Sequence, residues 1–286
     1  MSKSKAFLYS LGAPALYLLL QFAVLFSISI YIIASSLSDG IFPAVQSEFN
    51  DFIFEVQDKL LALTLPALLI SGVLFLLILL ISHRKKAVKL WESIGITRAV
   101  SVKTLVLAAL AGLSFHIACQ GFILATPVPQ RWHDANDLAT QAFADMTLFT
   151  FFISGLFIPF IEEVAFRGFT QRILHHAFSP WATVILQGVI FGAFHANALQ
   201  TIYAFATAIL IGYIYMKSRN LWAAMCCHMA FNSANYLMAF IFYAIYGENG
   251  EPGGIVLALM AAGGTTLALL LARNITRKGA QNEEME

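Results

Sequence analysis

Residues 159–168 read Pro159-Phe-Ile-Glu162-Glu163-Val-Ala-Phe-Arg167-Gly168, and they break into a long apolar run. Upstream lies Leu148-Phe-Thr-Phe-Phe-Ile-Ser-Gly-Leu-Phe-Ile158; downstream come Phe169, Ile173 and Leu174. An unpaired charge at mid-bilayer costs about 2.5–3.5 kcal/mol or more. Two adjacent carboxylates and a guanidinium in such a setting need partners, a function, or both.

The membrane premise follows from composition. The chain is 59% hydrophobic and 12% charged, whereas about a quarter of the residues of a soluble domain are charged. The apolar residues come in runs of about 17–25, the length that spans a hydrocarbon core as helix. The pattern predicts an all-α polytopic membrane protein with roughly eight spans, at 7–34, 60–82, 104–126, 144–166, 181–199, 201–217, 221–246 and 255–272. The first run is too long for a signal-peptide core and is read as a span. Residues 1–286 form a single integral membrane domain, with N-terminal helices over 7–126, a motif-bearing core at 144–246, and a last helix and tail at 255–286. Cys119, Cys226 and Cys227 all sit in apolar runs and read as free thiols.

With eight crossings, all but two of the 17 Lys and Arg fall on one side, the exceptions being Lys59 and Arg131. The other side carries acids such as Asp51, Asp58, Asp134 and Asp137. The positive-inside rule then places both termini in the cytoplasm, of a bacterial plasma membrane given the compact size. A net charge of +1 gives no case for a nucleic-acid partner. Phe49, Phe52, Ile53, Val56 and Leu60 are spaced as an amphipathic surface helix. The basic stretch 83–103 reads as topogenic charge, with contact to anionic lipid as the alternative, and the polar tail 279–286 as unstructured.

Few polar residues lie at membrane depth. Ser179-Pro180 marks a turn; Glu162 lies about 17 residues before it and His195 about 15 after it. Two helical arms rising 1.5 Å per residue bring those side chains to a similar height. His228 lies about 8 residues past the turn at Ser218-Arg219-Asn220, a comparable depth. Helical phase adds detail. Glu163 and Arg167 are four apart and share a face, as do Phe191 and His195, and His228 and Asn232. Glu162 is turned about 100° from Glu163. Pro159 and Gly168 can loosen the fourth helix.

Taken singly these residues have ordinary accounts: an ion pair for Glu163 and Arg167, packing for a histidine, interhelical glue for an asparagine. His116 and Asn235 keep that account. Together, Glu162, His195, His228 and Asn232 suit the activation of water. Glu162 and His195 would hold and deprotonate it, while His228 and Asn232 would donate to an oxyanion. Glu163 and Arg167 would orient Glu162. Glu162, His195 and His228 could instead ligate zinc, although no His-Glu-x-x-His is present.

At this point Glu162-Glu163-x-x-x-Arg167, Phe191-x-x-x-His195 and His228-x-x-x-Asn232 resemble the three motifs of the CAAX-protease and bacteriocin-processing (CPBP) family, which includes the type II CAAX prenyl endopeptidases. The resemblance covers about residues 144–246. It implies a bundle of eight helices with a water-filled active-site cavity toward the cytoplasm. It also implies an intramembrane endopeptidase in which Glu162 and His195 activate water and His228 and Asn232 hold the oxyanion. Such an enzyme would cleave membrane-associated, prenylated or leader-type peptides. No cofactor is required on this reading, and divalent zinc is the alternative. The expected partners are a peptide or membrane-protein substrate and membrane lipids. Asn197 lies two residues after His195, and the sequence leaves open whether it reaches the same cavity. A non-proteolytic role in bacteriocin immunity or membrane scaffolding is the second reading. A transporter is the third; it lacks support from inverted repeats or paired broken helices.

Overall fold

The computed structural model describes the chain apart from residues 39–45, 84–90, 93, 144–146, 248–249, 251 and 277–286. The basic residues at 84–86 and 89 and the tail 279–286 therefore lie outside the described residues. Among the described residues all regular structure is helical. A short α1 (Lys3–Ser10) is capped by Ser2, whose hydroxyl accepts from the Lys5 amide, and leads into α2 (Gly12–Ser38). There follow α3 (Gln46–Ser82), α4 (Val102–Ala125), the short α5 (Gln130–Thr140) and the continuous helix α6 (Leu148–His175). The chain ends in α7 (Pro180–Ala193), α8 (Ala198–Ser218), α9 (Leu221–Tyr246) and α10 (Gly254–Arg273).

Helices occur at all the expected span positions, but among the described residues six are long and apolar enough to cross a membrane, against the eight expected. The two that do not qualify are informative. α7 has 14 residues, about 21 Å at 1.5 Å per residue, against a core of about 30 Å. α9 is long enough, with 26 residues, but His228, Asn232 and Asn235 lower its hydropathy. A second expectation is also revised. The amphipathic stretch from Phe49 to Leu60 is no separate surface helix; it runs directly into the second span within the 37 residues of α3.

The outward faces are apolar, with Phe22, Phe26, Ile81, Phe240 and Leu259 all exposed, as expected for surfaces solvated by lipid tails. The interior gathers Tyr17, Phe75, Ile94, Ile161, Val164, Phe166, Phe191 and Met225 into one cluster. Close helix contacts rely on small residues. α4 packs against both α9 and α10. A Cβ at Gly121 would stand 2.6 Å from the Ala261 amide nitrogen, and one at Gly112 would overlap the carbonyl oxygen of Cys227. Since the obstacle at Gly112 is backbone, a side chain cannot swing aside. Gly112→Ala is expected to lower stability by about 1–3 kcal/mol, measured as thermal unfolding in detergent; an unchanged melting temperature would show that α4 and α9 do not pack this way.

One piece of the basic stretch does more than carry charge. Gly95 adopts φ +82° and sits under the α8–α9 turn, where Arg219 is left-handed with φ +53°. The Trp222 indole donates to the Ile96 carbonyl at 2.9 Å and the Asn220 amide to the Arg98 carbonyl at 2.8 Å. Arg98 in turn donates to the Arg219 carbonyl at 3.0 Å. Ile94 is fully buried beneath Gly168. Segment 94–98 thus closes the basic end of the bundle.

Candidate active site

α6 is not a regular α-helix. Phe151–Phe157 and Val164–Gln171 wind as π-helix, flanking the regular turn Ile158–Glu163. Pro159 accounts for the first widening. It has no N–H, and the preceding Ile158 amide donates to the Ile153 carbonyl, five residues back. The Ser154 carbonyl therefore loses both helical donors it could have, Ile158 and Pro159. The Asn232 side-chain amide fills the gap, donating to Ser154 O at 3.0 Å. Gly155 makes room for α9 at this level, since a Cβ there would stand 2.9 Å from Ser233 Oγ. Ser154 Oγ and the Tyr236 hydroxyl meet at 2.7 Å. π-Turns inside α-helices often mark functional sites; here the first one docks α9 and fixes the height of His228.

The regular turn between the bulges presents the two glutamates in different directions. Glu163 is fully buried, and its Oε1 accepts from Arg167 Nη1 at 2.7 Å and from His228 Nδ1 at 2.7 Å. Arg167 is also fully buried; its Nη2 donates to the Ala208 carbonyl at 3.2 Å, and its guanidinium lies 5.0 Å from the Phe191 ring centre. Gln187 donates to the same Ala208 carbonyl at 2.8 Å, tying α7 to α8. Glu162 keeps 16% of its side-chain surface exposed, and its Oε2 lies 3.6 Å from His228 Nε2. One imidazole therefore stands between the two carboxylates.

This arrangement fixes a tautomer. An ion-paired carboxylate can only accept, so the Nδ1 of His228 carries the proton given to Glu163. Its Nε2 then faces Glu162. When the imidazole is neutral that nitrogen is a lone pair, and when it is protonated it is a donor to Glu162. The row Arg167, Glu163, His228, Glu162 alternates in its capacity to donate and accept.

His195 is placed differently from the sequence expectation. The fifth span was expected to run from 181 to 199 with His195 inside it. Instead α7 stops at Ala193 and His195 lies in the turn to α8. The physical reasons lie just downstream. Ala196 is left-handed with φ +55°, which a helix does not tolerate. Asn197 caps α8, its side-chain oxygen accepting from the Gln200 amide at 2.8 Å. That settles the place of Asn197 as a helix cap. His195 Nδ1 bonds the Phe191 carbonyl at 2.9 Å, so Nδ1 carries a proton and Nε2 is the nitrogen left for other partners. The Phe191 ring touches both imidazoles, with centres 4.9 Å from His195 and 5.7 Å from His228.

The structure thus brings Glu162, Glu163, Arg167 and His228 into one contact chain and sets His195 across Phe191 from it. Asn232 lies one turn from His228 and is engaged by Ser154 O. The neighbour of Glu162 is His228 rather than His195. His116 packs edge-on against Phe231 at 5.1 Å, outside this chain. Tyr17 of α2, fully buried, lies within electrostatic reach of Glu162; a tyrosine in an apolar first span carries no sequence signal for this. Pro159 in a regular α-helix would leave the Gly155 carbonyl without its donor; the π winding moves the unpaired carbonyl to Ser154.

Zinc requires converging donors. Among the described residues no three His, Cys, Asp or Glu side chains are placed to share a metal ion. His228 has its Nδ1 engaged by Glu163, and His195 its Nδ1 by Phe191 O, so that in both rings Nε2 is the nitrogen left for a substrate, a water or a metal ion.

Residues 144–234 match a family model described as Rce1-like, type II CAAX prenyl endopeptidase. This match agrees with the resemblance of the three motifs to the CPBP family. The match begins just before α6 and ends within α9 after Asn232, so it takes in every candidate site residue. No curated protein and no solved structure matches the chain. The Rce1-like family is one of proteases, and the matched segment is embedded here in a multi-pass helical membrane protein.

Proposed function

We propose that the chain is an intramembrane endopeptidase that hydrolyses peptide bonds with a water activated by Glu162 and His195. The observation that carries this reading is the difference between the two glutamates. Glu163 is spent on Arg167 and His228, whereas Glu162 is partly exposed and, among the described residues, its ion-pair contact is the 3.6 Å approach to the imidazole of His228.

In this mechanism Glu162 takes a proton from water as the oxygen attacks the carbonyl carbon of the scissile bond, with the Nε2 of His195 positioning that water. Negative charge then gathers on the carbonyl oxygen. His228, holding a proton on Nε2 and balanced by Glu163, donates to it together with the second N–H of Asn232. Glu162 returns its proton to the amide nitrogen, and the carbon–nitrogen bond breaks. No step needs a metal. Substrates are membrane-associated, prenylated or leader-type peptides, and the basic end of the bundle, with both termini, faces the cytoplasm.

His195→Ala is the test at this level. Comparison of peptide termini between wild-type and His195→Ala cells should show a set of termini that vanish in the variant, and the purified variant should lose about 10²–10⁴ in rate on the corresponding peptide. Equal cleavage by the variant would remove His195 from the mechanism.

A further inference from the structure

A cavity of about 210 Å³ opens at the basic end of the bundle, away from Glu162, where the C-terminal ends of α6 and α8 meet the start of α7 and the segment around Arg98. Its walls carry Arg98, Arg172, Arg219, His175 and His176, and no Asp or Glu. Among the described residues none of these arginines has a carboxylate partner. Arg98 spends one N–H on the Arg219 carbonyl at 3.0 Å, which holds two of the guanidinium-bearing residues together. Like charges gathered around one concavity repel one another, and a bound anion offsets that cost with charge-assisted hydrogen bonds.

A second observation is independent of the charges. Thr183 also lines the cavity; it is 1% exposed, and its hydroxyl has no hydrogen-bond partner among the described residues. A buried hydroxyl without a partner is costly, and one on a residue in the wall of a basic cavity is a donor available to a bound acceptor.

The surroundings select the class of anion. Trp181, Ile185 and Val189 follow one another at four-residue spacing along α7 and are 54%, 48% and 53% exposed. Trp181 stacks on Tyr213 with centres 5.5 Å apart, in the manner of aromatic residues at a membrane interface. The apolar stripe thus starts beside the mouth of the cavity and leads away from it along the helix.

We propose that this cavity binds the phosphate headgroup of an anionic phospholipid, with an acyl chain lying along Trp181, Ile185 and Val189. Arg172 and Thr183 are its chief donors. The site is separate from the peptidase reading and stands without it.

The test uses the full chain, purified in detergent, stripped of lipid and titrated in native mass spectrometry. Dioleoylphosphatidylglycerol is expected to bind about tenfold or more tightly than dioleoylphosphatidylcholine, whose choline cation meets the arginines. Arg172→Gln should weaken phosphatidylglycerol binding by about tenfold, the loss of one hydrogen bond to a charged group, and leave phosphatidylcholine unchanged. Arg172→Lys, which keeps the charge and loses the fork, gives an intermediate loss and serves where the Gln variant does not fold. Thr183→Val should weaken binding several-fold without lowering the melting temperature of the lipid-free protein, because no bond is lost there. Equal affinity for the two lipids, or binding indifferent to Arg172, overturns the proposal. Two further arms address other anions. Inorganic phosphate that protects lipid-free protein as well as phosphatidylglycerol does would assign the site to a free anion. Displacement of the lipid by a tripeptide with a free carboxylate would assign it to a peptide end. Either result overturns the lipid assignment.

Discussion

Glu162→Gln should abolish hydrolysis while leaving the protein folded. The substitution keeps the shape of the side chain and removes its ability to take a proton. General-base catalysis accounts for about 10²–10⁴ in rate, and Glu162 would also deliver the proton to the leaving nitrogen, so the loss should lie at the upper end. Stability should hardly change, because Glu162 makes no ion pair with a permanent cation; its contact is the 3.6 Å approach to His228 Nε2, and it remains 16% exposed. The measurement is cleavage of a peptide identified by comparing termini in wild-type and variant cells, followed with purified protein whose unfolding matches the wild type. Cleavage by Glu162→Gln within a few-fold of wild type would sink the assignment. Rescue of a cellular phenotype by the same variant would point instead to the binding or immunity role.

Glu163→Ala should behave in the opposite way and cost stability first. Glu163 and Arg167 are both fully buried and 2.7 Å apart, and removing one partner strands the other charge. Breaking a buried pair in this manner costs about 3–5 kcal/mol. The effect should be visible as early unfolding on heating in detergent or in a denaturing-detergent titration. Arg167→Ala should cost a similar amount. Replacing both with leucine should recover much of the lost stability, since an apolar pair of similar volume is often as stable as a buried ion pair. The double variant should nevertheless remain inactive, because His228 Nδ1 has lost the carboxylate that it bonds at 2.7 Å. A stable Glu163→Ala protein would mean that the pair is not buried as described. An active double variant would mean that the orientation of His228 is set elsewhere.

These two expectations divide a pair of adjacent, chemically identical residues, and the division was already visible in the sequence. Four-residue spacing put Glu163 on the face of Arg167 and turned Glu162 away. The structure adds the imidazole between them. His228 was expected to serve an oxyanion from the seventh span, and its contacts with both glutamates follow from how α9 docks on the bulged part of α6. That docking depends on Asn232 meeting an orphaned carbonyl at Ser154, a match between residues 78 apart in the chain.

The sequence by itself determined the membrane-embedded helical class, the positions of the helices, the identity of the polar groups at depth and the pairing of Glu163 with Arg167. All of these depend on composition and on the helical period, which are local. It did not determine where α7 ends, because the left-handed turn at Ala196 and the cap at Asn197 override an apolar pattern that would continue the helix. Nor did it determine that His228, rather than His195, stands beside Glu162, or that Arg98, Arg172 and Arg219 share one cavity. Those facts depend on which helix faces which, and facing is set by close packing at glycines, by a proline that widens one turn of α6, and by hydrogen bonds between distant segments. A periodic pattern fixes the face a helix buries; only the packed bundle decides what that face meets.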